Sequence, residues 1–382
     1  MKYVDEFRDT RAARRLVDDI RRTATRRWVL MEVCGGQTHS LLRHGIEEEL
    51  RETVELIHGP GCPVCVTPAE DIDLAQQFAL REDVLLTSFG DMLRVPGTRK
   101  SLLDVRAAGG QVRIVYSPLD AVALAQKHPD RQVVFFAVGF ETTAPATALA
   151  VRQAEQLGLE NFALLVSHVR VQPAMESILR TPGNRVEGFL AAGHVCTITG
   201  FDSYVDFVRE FRVPVVVTGF EPVDLLQGIR ECVRQLESGR AEVTNCYARS
   251  VRREGNRHAL VAVEQVYRIA DVPWRGLGVI PSGGLRLRPE YARFDARRRF
   301  EDTGCEEELP VITTPDCPAA EVLAGRMRPS DCPQFGSRCT PDSPLGAPMV
   351  SSEGACAAYF RYRTPAVDAS QPAGASQQEA TR

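Results

Sequence analysis

Short β-branched runs alternate with helical patterns through much of this chain, and this alternation constrains the fold more than any other feature. From Trp28 to Val217, apolar runs are separated by segments whose apolar residues recur at helical spacing. The alternation predicts repeated β-α-β units and a mainly parallel sheet, because parallel strands need a long crossover that is usually a helix. The predicted strands span residues 28–33, 54–57, 84–88, 112–116, 133–138, 162–166, 188–192 and 213–217.

The length of the chain, 382 residues, indicates two or three domains at about 150 residues each. We predict an α/β fold with two doubly wound parallel-sheet subdomains, at residues 1–130 and 131–243. Beyond Glu242 arginine becomes frequent, Gly and Pro cluster, and cysteines gather. A smaller α-rich, cysteine-bearing domain is therefore expected at 244–363. The small polar residues of 364–382 predict a disordered tail.

Two Ser/Thr-Pro pairs predict where helices begin. Ser117 precedes Pro118, and Thr67 precedes Pro68. A hydroxyl residue suits the N-cap and proline suits the first helical position. We expect a helix to start at each pair, and we expect the helix that begins at Pro118 to span residues 118–127.

Charge and hydropathy exclude several classes of function. The net charge is −4, so no basic field is available to neutralise a nucleic-acid backbone. The N-terminal segment has no apolar core of a secretory signal, and no apolar run approaches the roughly 20 residues of a membrane helix. We therefore expect a cytoplasmic protein that binds neither nucleic acid nor membranes. In that reducing compartment, cysteines more often bind metal or do chemistry than form disulfides.

The first candidate site follows the first predicted strand, in the segment Cys34-Gly35-Gly36-Gln37-Thr38-His39. A cysteine at the start of a helix lies near backbone N–H groups that lower its pKa and favour the thiolate. His39 lies in the next helical turn and could reach the sulfur or a metal bound to it. The alternative is that Cys34 is a small buried side chain in a tight turn.

The second candidate is the Cys-x-x-Cys pair of Gly59-Pro60-Gly61-Cys62-Pro63-Val64-Cys65. In an α/β context such a pair indicates redox-active thiols or half of a metal site. Loops that follow neighbouring parallel strands emerge at the same edge of the sheet, so Cys34, Cys62 and Cys65 are expected to converge. Three sulfurs with His39 suit a metal such as iron, and the close pair alternatively suits a dithiol that serves the third thiolate.

Four later cysteines form a third group, with the spacing C-x14-C-x6-C-x16-C at Cys317, Cys332, Cys339 and Cys356. This spacing matches neither the close pairs of zinc sites nor the bacterial ferredoxin pattern. Cys-Pro steps at Cys317 and Cys332 are typical of ferredoxin clusters, and we predict a [4Fe-4S] cluster. Structural zinc is the alternative.

Two strand ends carry the same Gly-Phe-Glu sequence, at Gly139-Phe140-Glu141 and Gly219-Phe220-Glu221. Ligands of open α/β sheets bind beyond the carboxyl ends of strands. Glu141 and Glu221 are therefore candidate pocket residues, and His194, which also follows a predicted strand, is a third. The alternative is a reused strand-to-helix turn with no function.

Together these motifs resemble the hydrogenase maturation factor HypD family, over roughly Phe7 to Tyr362. The resemblance is carried by the Cys34 and Cys62/Cys65 segments, by Gly139-Phe140-Glu141-Thr142-Thr143-Ala144-Pro145, by Cys339-Thr340-Pro341, and by the segment from Gly346 to Cys356. It implies a scaffold on which the Fe(CN)2CO group of [NiFe] hydrogenases is assembled. It also implies a small HypC-type partner and a HypE-type partner that donates cyanide from a thiocyanate.

Carried over residue by residue, the resemblance makes Cys34 the iron ligand shared with the HypC-type partner. It makes Cys62 and Cys65 the redox-active pair, and it makes Cys317, Cys332, Cys339 and Cys356 the cluster ligands. Such a protein is an assembly scaffold with thiol and cluster redox activity rather than a free-standing metabolic enzyme.

Two other functions are compatible with the cysteines. One is a free-standing iron-sulfur dithiol/disulfide oxidoreductase, in which Cys34 is dispensable. The other is a zinc-stabilised binding module in which every thiol is structural. Replacement of Cys34 distinguishes the first from the scaffold, and metal analysis distinguishes the second.

Overall fold

The computed structural model of this chain describes residues 4–301 and 317–363, so the predicted tail and Cys305 lie outside the described residues. The strands are β1 (Trp28–Glu32), β2 (Val54–His58), β3 (Val84–Ser88), β4 (Val112–Ile114), β5 (Gln132–Gly139), β6 (Phe162–His168), β7 (Gly188–Ala192), β8 (Val215–Thr218), β9 (Val243–Asn245), β10 (Tyr267–Trp274) and β11 (Gly278–Leu287).

The helices of the described residues are α1 (Thr10–Thr23), α2 (Gly35–Arg43), α3 (Ile46–Leu50), α4 (Pro63–Val66), α5 (Ala69–Leu80), α6 (Leu102–Ala107), α7 (Pro118–Lys127), α8 (Ala144–Gln156), α9 (Val171–Arg180), α10 (Gly193–Thr199), α11 (Ser203–Phe211), α12 (Pro222–Glu237), α13 (Arg257–Val266), α14 (Ala296–Arg299), α15 (Ala319–Leu323), α16 (Ala347–Val350) and α17 (Ala355–Tyr362). Short 3-10 helices span Asp5–Arg8, Gly90–Arg94, Pro289–Phe294 and Pro329–Asp331.

Two parallel sheets form the centre of the molecule and confirm the predicted α/β class. One has five strands in the order β2-β1-β7-β8-β9, and the other has four in the order β4-β3-β5-β6. Every pairing within them is parallel. Both faces of each sheet are covered by apolar clusters, so the central strands read as continuous apolar runs.

The sheets do not coincide with the predicted boundary at residue 130. The five-stranded sheet takes β1 and β2 from the first predicted subdomain and β7 to β9 from the second. The chain leaves this sheet after β2, completes the whole four-stranded sheet, and then returns to pair Leu30 with Gly188. Hydrophobic periodicity locates strands but does not specify which strands pair, and this explains the difference.

The region from residue 244 onward contains more strand than predicted. β10 and β11 form an antiparallel hairpin with a bulge between Ala270 and Val272. The clustered Gly and Pro residues gave no strand prediction here, although an edge hairpin tolerates them at bulges and turns. The remainder is helical, and α17 packs its buried residues Ala358 and Tyr359 against Leu42 of α2.

One of the two predicted helix starts is confirmed. Ser117 caps α7 in a capping box with Asp120, and the helix spans Pro118–Lys127 as predicted. At the other pair the N-cap of α5 is Pro68, without a side-chain cap bond. The prediction for Thr67 was wrong because its hydroxyl donates to the carbonyl oxygen of Pro63, at 2.9 Å, one turn earlier in α4.

No helix in residues 4–301 and 317–363 has both the length and the apolar character needed to cross a membrane.

Candidate functional site: a thiol-rich edge

Cys34 lies at the carboxyl end of β1 and is the N-cap residue of α2. The next residue, Gly35, donates its backbone N–H to the carbonyl oxygen of Gly61 at 3.0 Å. A Cβ on Gly61 would overlap the backbone nitrogen of Cys34, so only glycine fits there. The loops of Cys34 and of the Cys-x-x-Cys pair are therefore in direct backbone contact, which confirms that they emerge at the same edge of the sheet.

Cys62 and Cys65 form a disulfide, with a Cα–Cα distance of 5.3 Å. Cys62 is the N-cap of α4, and its sulfur accepts the backbone N–H of Cys65 at 3.2 Å. Both side chains are buried, at 2% and 1% exposure. Little of the pair is therefore accessible to solvent.

The surroundings of Cys34 raise the pKa of its thiol, whereas a lowered pKa was expected. Burial, followed by the Glu32 carboxylate, raises the pKa of the Cys34 thiol to about 12, and the N–H groups of Gly36 and Gln37 offset this only partly. The expectation of a lowered pKa was therefore wrong, because the carboxylate and burial outweigh the helix N-terminus. A metal ion at the sulfur reverses this balance, since a coordinating thiol is deprotonated outright.

Glu32 is a site residue that the sequence analysis missed. It is fully buried, accepts the backbone N–H of Cys34 at 2.8 Å and also binds the Thr38 hydroxyl. Its other partner is Nδ1 of the buried His58, at 2.8 Å. Burial lowers the pKa of His58, but the carboxylates of Glu32 and Glu47 outweigh it and raise that pKa to about 9.

This buried network continues to α17, which carries Cys356. Glu47 accepts the hydroxyl of Tyr359 at 2.9 Å and Nη2 of Arg363 at 3.1 Å. His39 also faces α17: its Nε2 is hydrogen-bonded to the Tyr362 hydroxyl at 2.7 Å. The structure thus places His39 against Tyr362, and its predicted role at Cys34 stays a prediction.

Glu353 is a second site residue that was not selected from the sequence. It lies in the segment from Gly346 to Cys356, which carries part of the family resemblance. A Cβ on Gly35 would overlap the backbone and Cβ of Glu353, so the two chain segments are in contact. Burial raises the pKa of the Glu353 carboxyl, and its charge contributes to the raised pKa of Cys34. No spacing signal could reveal this proximity, because the two residues are separated by most of the chain.

The second Gly-Phe-Glu turn packs against the Cys34 loop. A Cβ on Gly36 would lie 3.2 Å from the Phe220 ring, and that ring stacks on His194 with centroids 3.8 Å apart. Glu221 pairs with Arg8, with Nη2 to Oε1 at 2.8 Å. His194 and Glu221 line one open groove with Phe220. Their predicted place at a strand-end crevice agrees with this groove, and their roles stay predictions.

Glu141, at the first Gly-Phe-Glu turn, is held differently. Its Oε1 accepts the backbone N–H of Val171 at 3.0 Å, whereas its Oε2 is buried without a hydrogen-bond partner among the described residues. Burial raises the pKa of this carboxyl. Burial, followed by the charges of Glu141 and Cys34, raises the pKa of the Cys196 thiol.

The four later cysteines belong to the C-terminal part of the described chain. Burial raises the pKa of the Cys356 thiol, and the charges of Cys317, Cys339 and Cys332 raise it further. Four cysteine sulfurs are the donor set of a [4Fe-4S] cluster and also of structural zinc, so the residue types suit either centre. No three His, Cys, Asp or Glu side chains in the part of the chain that is described adopt a metal-holding arrangement.

Two consecutive residues of one loop join the four-cysteine group to the disulfide. A Cβ on Gly346 would overlap Sγ of Cys317. The carbonyl oxygen of Ala347 lies 3.8 Å from Sγ of Cys65. Gly346 therefore contacts a member of the four-cysteine group, and the next residue, Ala347, contacts the disulfide.

The fold and the site define an α/β protein with three groups of cysteines. These are Cys34, the disulfide whose loop contacts the Cys34 loop, and the group of four. The family model described as "Hydrogenase formation hypA family" (HypD) matches residues 11–363. This chain belongs to the HypD family of hydrogenase maturation proteins.

Named relatives agree along nearly the whole length. A hydrogenase maturation factor HypD from Azotobacter vinelandii is 48% identical, over 95% of this chain and 97% of the relative. Those from Rhodobacter capsulatus and Escherichia coli are 45% and 44% identical, each over 95% of this chain and 98% of the relative. Among solved structures, a glucose-galactose binding protein of Geobacillus stearothermophilus matches 58% of this chain and 94% of its own. The match has 11% sequence identity and a TM-score of 0.16.

Proposed function

We propose that this hydrogenase maturation factor is the scaffold on which the Fe(CN)2CO group of [NiFe] hydrogenase is assembled. It would act with a HypC-type small partner and accept cyanide from a HypE-type partner, in the cytoplasm. The observation that carries the proposal is the backbone contact between the Cys34 loop and the Cys62/Cys65 loop. This contact supports the proposal because it holds the Cys34 loop against the loop of the thiol pair.

Cys34 is proposed as the ligand of the iron under assembly, which is the cargo of this protein. An iron that carries cyanide and CO favours thiolate ligation. With a pKa of about 12 the free thiol stays protonated at neutral pH, so ligation releases a proton. Glu32 fixes the loop by accepting the Cys34 backbone N–H.

Cys62 and Cys65 are proposed to supply the electrons for cyanide release. In the balanced step, the carrier's S–C bond breaks, two thiols become one disulfide, and the two thiol protons end on the carrier thiol and on hydrogen cyanide. The pair is thereby oxidised by two electrons while the thiocyanate is reduced. The disulfide of Cys62 and Cys65 is the product state of this step.

Cys317, Cys332, Cys339 and Cys356 are proposed to hold a resident [4Fe-4S] cluster. When bound, such a cluster supplies single electrons at low potential. Gly346 contacts the Cys317 sulfur and the next residue, Ala347, contacts the Cys65 sulfur, and this proximity supports electron transfer between the cluster and the disulfide.

The proposal is tested by anaerobic purification of the full chain with its small partner, followed by iron and sulfide analysis and infrared spectroscopy. We expect cluster iron with acid-labile sulfide, and further iron with cyanide and CO stretches that vanish in Cys34→Ala. Cys246→Ser, which changes a partly buried thiol outside the site, is the matched control and should keep the bands.

Three results would overturn parts of the proposal. A Cys62→Ser/Cys65→Ser variant that still yields a fully cyanated iron contradicts the dithiol step. A cluster without diatomic bands in any preparation favours a free-standing iron-sulfur dithiol/disulfide oxidoreductase, and zinc without sulfide favours a binding module.

A further inference from the structure

A small cavity lies at the edge of the five-stranded sheet, between its outer strand β2 and the segment at 322–331. Its volume is about 110 Å³, several times the roughly 30 Å³ that one water molecule occupies in the liquid. The cavity therefore has room for one small ion rather than for a peptide segment. Among the residues that the structure describes, no cysteine lines it.

Three arginine side chains line this cavity, and two of them are already paired. Arg185 donates through Nη2 to Glu55 at 2.9 Å. Arg326 donates to Glu321 through Nε and Nη2, at 2.6 and 2.8 Å. These carboxylates hold the two guanidinium groups in place at the cavity.

Arg328 is the third arginine, and its charge has no ion-pair partner. The side chain is half-buried and forms neither a hydrogen bond nor an ion pair within residues 4–301 and 317–363. The acidic residues of the lining are Glu55 and Asp331. Glu55 is already shared by Arg185 at 2.9 Å and Arg27 at 3.5 Å. The lining therefore carries more positive charge than its own carboxylates neutralise.

His58 is a buried member of the same lining, at 4% exposure. Its pKa of about 9 keeps it protonated at neutral pH, and its Nδ1 is bonded to Glu32 at 2.8 Å. Its Nε2 has no hydrogen-bond partner in the described part of the chain, since Oε2 of Glu47 is 3.6 Å away. A buried donor without a partner is unfavourable and calls for an explanation. His58 thus adds a buried positive charge to the cavity.

We propose that this cavity binds one small oxyanion of the phosphate class, with Arg328 as its principal partner. A guanidinium matches two oxygens of a phosphate in bidentate geometry, and that of Arg328 has no other partner to give up. Arg185 and Arg326 are held beside it and add positive charge. The inference involves neither a metal nor a cysteine, so it does not depend on the proposed function.

The test is isothermal titration calorimetry of the full chain with inorganic phosphate, at a low ionic strength kept constant with chloride. We expect one saturable site, and competition by sulfate. Arg328→Gln should weaken phosphate binding at least tenfold because it removes the unpaired charge, and Arg328→Lys should weaken it less. Arg106→Gln is the matched control. It removes an exposed arginine of α6 outside the cavity and should bind phosphate like the wild type.

Two results would overturn the inference. One is a folded wild-type chain that shows no saturable phosphate binding. The other is a loss of affinity in Arg106→Gln as large as that in Arg328→Gln, which would reduce the effect to net charge.

A measurement on the wild type carries the test if Arg328→Gln does not fold. Phenylglyoxal modifies accessible guanidinium groups, and mass spectrometry locates the modified arginines. Phosphate should slow the modification of Arg328 at least fivefold and leave that of the exposed Arg106 unchanged. Equal rates at Arg328 with and without phosphate would contradict the site.

Discussion

The backbone N–H of Gly35 donates to the carbonyl oxygen of Gly61 over 3.0 Å, and this bond joins the loop of Cys34 to the loop of the disulfide. Both loops follow neighbouring parallel strands, whose register pairs Glu32 with His58. The sheet therefore sets the relative position of the two loops, and small changes at either glycine act on both thiol groups.

Substitution of Gly61 should separate the two loops. Because a Cβ there would overlap the Cys34 backbone, Gly61→Ala is expected to destabilise the fold by about 1–3 kcal/mol and to lower iron retention at Cys34. Denaturant unfolding and iron analysis measure the two effects. Gly90→Ala is the control, since the nearest atom to its Cβ is the side chain of Ile114 at 3.9 Å. Equal stability of both variants would contradict the steric argument.

The stability of the chain should fall as pH rises through the pKa of His58. The folded pKa of about 9 exceeds the ordinary value of 6.5. The contribution is therefore fully present below about pH 6.5 and is lost between that pH and 9, up to about 3 kcal/mol. Unfolding free energies measured from pH 6 to 9.5 check this.

His58→Gln should flatten that profile, whereas the exposed His258→Gln should not change it. A His58→Gln profile parallel to that of the wild type would show that another group causes the loss.

A side chain at Gly346 should prevent the four cysteines from holding the proposed cluster and should leave the disulfide unaffected. A Cβ on Gly346 would overlap Sγ of Cys317, so we expect Gly346→Ala to lose most of its acid-labile sulfide. The Cys62–Cys65 disulfide, measured by thiol labelling and mass spectrometry, should still form. Exposed Ser343→Ala in the same loop is the control. Full sulfide content in Gly346→Ala would refute this prediction.

The buried pair of Asp224 and Arg249 should be far more important for stability than exposed pairs. Asp224 is fully buried and accepts two bonds from Arg249, each at 2.5 Å. Asp224→Ala leaves a partly buried guanidinium unpaired, and we expect a loss of about 3–5 kcal/mol. Asp202→Ala, which breaks the exposed pair with Arg253, should cost about 1 kcal/mol or less. Denaturant unfolding compares the two, and similar losses would be the contrary result.

The sequence predicts much of this fold because its signals are local. The run at 188–192 matches β7 residue for residue, and Ser117 caps its helix as its chemistry requires. Pairing between strands is not local, so the return of the chain to β1 at β7 could not be predicted. The β10–β11 hairpin was missed because glycine and proline are typical of loops as well as of edge hairpins.

Within the site, cysteines could be selected by type and spacing, but their surroundings could not. The pKa of Cys34 depends on burial and on Glu32, and neither a buried glutamate nor its histidine partner His58 has a motif of its own. Glu353 reaches the Cys34 loop only through tertiary folding.

The order of strands in the five-stranded sheet also bears on synthesis. β1 and β2 leave the ribosome early, yet β1 pairs on its other side with β7, which follows the entire four-stranded sheet. The Cys34 loop also contacts Glu353, near the end of the described chain. Domains fold as units during translation, so the surroundings of Cys34 are complete only after Glu353 has been added to the nascent chain.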